Sequence, residues 1–182
     1  GEVQRKFFGT LHNTYNFLAL YAGADDYQGG ENAIPYADRP EIDRWIASRL
    51  QGLVTEVEAA FEALEPTRAG RAIQEFVVDD LSNWHVRLSR RRFWRGDMNA
   101  DKQSAYQTLV TCLRTVAVLA SPIAPFYMDR LFRDVTGSRD SVHLATFPVP
   151  DGAQRDEALE ARMSLARQLS SQVLSLRKRE KI

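Results

Sequence analysis

The chain has 182 residues, with 24 lysines and arginines against 24 aspartates and glutamates, so its formal net charge is zero. Its composition is 44% hydrophobic and 26% charged, too apolar for a disordered chain, and its one cysteine, Cys112, excludes a disulfide scaffold. No apolar run approaches the ~20 residues that span a bilayer and no signal peptide opens the chain, so a soluble cytoplasmic protein without a membrane role is expected.

The apolar period is helical nearly throughout. Phe7, Phe8, Leu11, Tyr15, Leu18 and Tyr21 predict a first helix ending near Gly23. Asp25 to Ala37, with Gly29, Gly30 and Pro35, reads as a loop. Asp38-Arg-Pro-Glu41 has the form of a capping box, and behind it Ile46, Leu50, Leu53, Val57, Ala60 and Leu64 draw one stripe along a long helix. Glu65-Pro66 stops that helix. A third runs from about Thr67 to Trp94 and breaks at Gly96-Asp97. A fourth starts near Asn99 and carries Tyr106, Leu109, Val110, Leu113, Val116, Ala117 and Ala120. Ser121-Pro122 and Pro125 turn a corner into a short helix with Phe126, Leu131 and Phe132, closed by Gly137. Ser141 to Pro150 is extended, with Pro148 and Pro150 limiting any strand to an edge. A last amphipathic helix from about Asp156 carries Leu159, Met163, Ala166, Leu169, Val173 and Leu176. The expected fold is an all-α bundle of five or six helices. Its body spans 1–150, and 151–182 is a trailing helix. Both ends look cut, so a fragment of a longer chain, with a further C-terminal region missing, is expected.

A zero charge sum argues against a nucleic-acid binder only if the charges are evenly spread, and they are not. Tyr36 to Glu65 holds seven acids and three arginines, a net of −4. Trp84 to Arg95 holds five arginines and no acid, and the tail from Arg177 to Ile182 has four bases and one acid.

Catalytic candidates are few. His12, His85 and His143 have no metal-ligand partner at helical spacing, no phosphate-binding glycine loop occurs, and Cys112 reads as a buried thiol. No active site, metal or cofactor is expected within the chain itself. The informative stretch is Asp79 to Arg95. On an α-helix, Ile73, Val77, Leu81, Trp84 and Leu88 form an apolar stripe, with Asp80 and Arg87 beside it, two turns apart. A half-buried charge there needs a partner, so Asp80 and Arg87 are expected to form a structural ion pair. Arg90 and Arg92 point away from the stripe, free to meet phosphates. Trp84 falls on the core side, whereas Trp94 stands at the helix end, where an aromatic ring can stack on an unpaired base. The bland alternative is a solvated face, or a helical protein-interaction bundle docking an acidic partner.

Five motifs in order then resemble one family. They are Phe7-Phe-Gly-Thr-Leu-His-Asn-Thr-Tyr-Asn-Phe17, Asp43-Arg-Trp-Ile-Ala-Ser-Arg-Leu50, Asn83-Trp-His-Val-Arg87, Ser121-Pro-Ile-Ala-Pro-Phe126 and Ser141-Val-His-Leu144. Together they resemble the helical anticodon-binding domain of class I aminoacyl-tRNA synthetases in the isoleucine, valine, leucine and methionine group. His85 stands where that family commonly has tyrosine. Within the group the wording is most similar to the isoleucyl branch of the eukaryotic-like type, on Arg5-Lys-Phe-Phe-Gly-Thr-Leu11, Asn13-Thr-Tyr15 and Arg87 to Trp94; the valyl branch is next. The resemblance implies a full-length ligase that charges tRNA(Ile) using ATP and Mg²⁺. Its catalytic and editing domains are absent here, as are the family's "H-I-G-H" and "K-M-S-K-S" signatures. It also implies contact between this domain and the anticodon arm, with Arg90, Arg91, Arg92 and Arg95 on phosphates or bases and Trp94 stacking.

Overall fold

A computed structural model describes residues 4–29 and 33–180. Gly30 and the last two residues of the basic tail lie outside the described residues. A π-helical turn, Gln4–Phe8, runs into α1, Gly9–Ala24. Then come α2, Glu41–Glu62, and α3, Pro66–Glu75. A π-helical stretch, Phe76–Val86, continues α3 without a break into α4, Arg87–Trp94. The remaining helices are α5, Ala100–Ala120, α6, Pro125–Thr136, and α7, Glu157–Glu180. Counting α3 to α4 as one rod, the described residues form six helical rods and no strand, the expected all-α bundle.

Local chemistry explains most boundaries. Pro66 and Pro125 occupy first-turn positions, where the missing N–H costs nothing. Asn99 caps α5 by accepting from the Lys102 amide at 2.9 Å. Gly137 closes α6 in the left-handed region at φ 67°. The capping box does not form: Asp38 ends a 3₁₀ turn, Tyr36–Asp38, and α2 starts only at Glu41 behind Pro40, without a side-chain cap. Glu41 turns outward to Arg162 instead, at 3.0 Å. Ser141 to Pro150 folds as the 3₁₀ turn Val142–Leu144 followed by irregular backbone.

α5 is the centre of the bundle. Leu109, Leu113, Val116, Ala117 and Leu119 are buried on it, and it touches α1, α2, α3, α4 and α6. A helix apolar on most of its circumference has to be enclosed. The first four rods run alternately up and down. Phe8 at the start of α1 meets Tyr127 of α6, and Asp25 at its end meets Lys102 at the start of α5. One end of the bundle therefore carries Trp94 and the start of α5, and the other carries Phe8, Pro66 and the α5–α6 corner.

The segment after residue 150 is anchored to the body at its beginning. Asp156 N–H donates to Ser48 Oγ at 2.8 Å, and Leu159 is buried. Beyond Arg167 every described residue of α7 is exposed, so Leu169, Val173 and Leu176 stand uncovered.

Candidate nucleic-acid interface

The arginine-rich rod does not keep the α-helical register that its sequence suggests. The π-helical stretch bonds each amide one residue further back, so side chains seven apart no longer stack above one another. Asp80 and Arg87 are separated by this change, and their expected ion pair is absent. Asp80 is buried and accepts instead from Arg49 Nε at 2.9 Å and Arg167 Nη1 at 2.5 Å, while Arg87 is exposed. Leu88 turns outward from the expected stripe for the same reason, and Trp84 is only half-buried. Trp84 Nε1–H donates to Met163 Sδ at 3.1 Å, and the Arg167 guanidinium lies 5.5 Å from the Trp84 ring and 5.9 Å from that of Trp45.

The inward face of α4 is Ser89, Arg92 and Phe93. Phe93 is fully buried in an aromatic cluster, edge-on to Phe17 at 5.0 Å and to Tyr106 at 4.9 Å. Arg92 is therefore not free for phosphates. Its side chain is only 14% exposed, and its two terminal nitrogens donate to both oxygens of Asp43 at 2.8 and 2.7 Å. It also donates to the Asp101 carboxylate at 3.0 Å and carbonyl at 2.8 Å. Asp43, fully buried, accepts further from Ser104 Oγ at 2.6 Å and pairs with His85 Nε2 at 2.9 Å. Burial alone would raise the Asp43 carboxyl. The bonds from Arg92 and His85, with their charge, outweigh it and hold the group well below the usual carboxylate range.

A second lock sits nearby. Asp25 takes Lys102 Nζ at 2.7 Å and the Tyr106 hydroxyl at 2.5 Å, which outweigh the upward effect of burial and lower its carboxyl. Three polar residues of the stretch Asp43 to Leu50 thus bond to other helices. Asp43 ties α2 to α4 and α5, and Ser48 and Arg49 bond Glu160 of α7. Asp43 falls in phase with Ile46 and Leu50, and an acid on an apolar stripe signals a buried cation partner. The sequence carried that signal, although it could not name Arg92.

With Arg92 and Phe93 turned in, the outer face of the rod is Arg87, Leu88, Arg90, Arg91 and Trp94, followed by Arg95. All are exposed, and the four arginines form no ion pair with any described residue. Positions three and four apart on a helix are neighbours, so Arg87, Arg90, Arg91 and Trp94 form one patch. Trp94 is 56% exposed, with the Arg95 guanidinium 5.6 Å above its ring. Four of the five anticipated contact residues, Arg90, Arg91, Trp94 and Arg95, therefore share one surface, and Arg92 lies beneath it. Arg87 joins that surface in its place.

This patch offers delocalised cations and an open aromatic face, the groups that meet phosphates and stack on unpaired bases. Among the described residues no three His, Cys, Asp or Glu side chains converge as a metal set, and no helix is long and apolar enough to cross a membrane.

The chain belongs to the family described as the anticodon-binding domain of tRNA ligases, whose model matches residues 43–182, including the whole arginine face. It is 63% identical over 178 residues to an isoleucine–tRNA ligase of Porphyromonas gingivalis, covering 98% of this chain and 16% of that protein. It is 60% identical over 186 residues to that of Cytophaga hutchinsonii, covering 100% and 17%. To that of Thermus thermophilus it is 44% identical over 167 residues, covering 89% and 16%. The chain thus spans about one-sixth of the length of the relatives it matches.

Proposed function

We propose that the chain is the tRNA-binding domain of an isoleucine–tRNA ligase and engages the anticodon arm of tRNA(Ile). Body 1–150 presents the arginine face, and 151–182 leads towards a further C-terminal region. In such a ligase, ATP and Mg²⁺ serve amino-acid activation in a catalytic part outside this chain, and the enzyme works in the cytoplasm. The observation that carries the reading is the unpaired patch of Arg87, Arg90, Arg91 and Arg95 around Trp94, within the stretch matched by the family. Arg90, Arg91 and Arg95 contact phosphate or base edges, and Trp94 stacks on a splayed base. The valyl alternative is less well supported, because relatives at 55–63% identity carry the isoleucine name. A helical bundle that only docks an acidic protein leaves the family match unexplained.

The test is tRNA binding by the full-length ligase across a salt series. Replacing Arg90 and Arg91 by alanine removes two phosphate contacts and is expected to lower the salt slope by about 2. An unchanged slope and affinity would overturn the assignment of these residues. Equal binding of tRNA(Val) and tRNA(Ile) would overturn the isoleucine specificity.

A further inference from the structure

A second concentration of bases lies on α7, and the arginine face does not use it. From Ala161 to Arg179 the helix holds five bases, Arg162, Arg167, Arg177, Lys178 and Arg179, and no acid. That is the charge signature of the arginine rod, repeated on another element. A helix dipole favours bases in the last turn, but it does not ask for the absence of acids over about five turns. Arg162 and Arg167 are used on the body, against Glu41 and Asp80, and Arg179 bonds its neighbour Glu180 at 3.0 Å. Arg177 and Lys178 are exposed and form no ion pair with any described residue.

The register of α7 decides which way these bases face. At about 100° per residue, Glu160, Met163, Arg167, Leu174 and Lys178 fall in one row, with Arg177 beside it. The first three of that row make the contacts with Arg49, Trp84 and Asp80, so Lys178 continues the side of the helix that lies on the body. Leu165, Leu169 and Leu176 fall on the opposite side, and a ligand on the basic side leaves them uncovered. The start of the helix is fixed by a chain of charges: Arg155 to Glu160 at 3.2 Å, Glu160 to Arg49 at 3.4 Å, Arg49 to Asp80 at 2.9 Å and Asp80 to Arg167 at 2.5 Å. The Arg155 guanidinium fills the space that Gly52 leaves by having no side chain, since a Cβ there would lie 2.0 Å from its Nη1. Beyond Arg167 the helix leaves the body, and Lys178 stands about 16 Å past that last anchor. The anchor lies against Trp84, three residues before Arg87 and the outward arginines.

Building on the reading of the chain as a tRNA-binding domain, we propose that α7 is a second phosphate-binding arm for the same tRNA, with Arg177 and Lys178 as its contact residues. A backbone that meets Arg87 and Arg91 passes close to the root of the arm. The chain of charges holds the arm before RNA arrives, so its contacts do not carry the cost of ordering a loose segment.

The test is binding of tRNA(Ile) by the full-length ligase carrying Arg177→Ala and Lys178→Ala together. The salt slope is expected to fall by about 2 and affinity at ~0.1 M salt by at least tenfold, with the urea midpoint unchanged. Arg177→Lys with Lys178→Arg keeps both charges and should bind as the wild type does; a loss there would overturn the phosphate role. Phosphate ethylation interference separates the two contact sets. The alanine pair on α7 should lose sensitivity at phosphates other than those lost with Arg90→Ala and Arg91→Ala. An unchanged slope and affinity would overturn the arm, and so would loss of the same phosphates in both variants, because α7 would then act through the rod. If the α7 pair weakens binding while the Arg90 and Arg91 pair does not, the arginine-face assignment fails and the arm stands.

Discussion

Asp43→Asn probes the buried lock beneath the arginine face. The Arg92 guanidinium bridges both oxygens of Asp43, so an asparagine cannot place its NH₂ group without setting a donor against an arginine N–H. Removing one partner of a buried ion pair costs about 3–5 kcal/mol. Arg92 keeps its two bonds to Asp101, which puts the expected loss at the lower end, about 3 kcal/mol. At about 2–4 °C per kcal/mol for a chain of this size, Tm should fall by about 6–12 °C. The effect also depends on pH, with a determined sign. The folded Asp43 carboxyl lies below its unfolded value of about 3.9, so its contribution is complete above that pH and is lost as pH falls. The stability gap between wild type and variant should therefore narrow by about 1 kcal/mol from pH 5 to pH 3. Urea unfolding followed by tryptophan fluorescence, repeated across that range, measures both quantities. A gap below about 1 kcal/mol at pH 7, or one that stays constant with pH, would refute the assigned role of Asp43.

Arg167→Ala should cost about 1–2 kcal/mol, because Asp80 keeps Arg49, and should shift tryptophan emission as Trp45 and Trp84 lose their guanidinium; an unchanged spectrum would show that α7 is held some other way. Trp94→Ala should leave stability within about 0.5 kcal/mol yet weaken tRNA binding by about 1–3 kcal/mol, and equal binding would remove the stacking role. Leu64→Gly should stabilise the 182-residue chain by about 1 kcal/mol by relieving the left-handed strain, as read by urea midpoint. Burial pushes the Cys112 thiol up, so its reaction with a thiol reagent should track global unfolding, and rapid labelling of the native protein would contradict its place in the core.

Helix existence was legible in the sequence, because apolar period, proline and glycine are local signals. Pro66, Asn99, Pro125 and Gly137 stand at or next to the boundaries they announce. The register of the arginine rod was not legible. A π-helical stretch has no composition of its own, and one added residue per turn rotates everything after it. That rotation separated Asp80 from Arg87 and turned Leu88 out. The fate of Arg92 was hidden for another reason: its partner Asp43 lies 49 residues away on a different helix. Only the misplaced acid on the α2 stripe hinted that some cation had to come in. The capping box failed because Asp38 closes a 3₁₀ turn while α2 starts only at Glu41, behind Pro40.

The zero net charge hides a division of labour among the arginines. Arg49, Arg92 and Arg167 are used inside, where Asp43, Asp80 and Glu160 hold four helices in register. The acids that neutralise them are buried or partly buried, so they cast little field outward. Arg87, Arg90, Arg91 and Arg95 have no such partner, and their field reaches solvent at one end of the bundle. The exposed acids Glu56, Glu58 and Glu62 sit towards the other end. A neutral chain can thus present an attractive field to a polyanion at one end. The inner arginine, Arg92, determines how the outer ones are presented, because the bidentate bond to Asp43 fixes the rotation of α4. An Arg92 substitution would therefore lower tRNA affinity through misplaced neighbours. Its signature is a loss of stability together with the loss of binding, whereas Arg90 or Arg91 substitutions should lose binding alone.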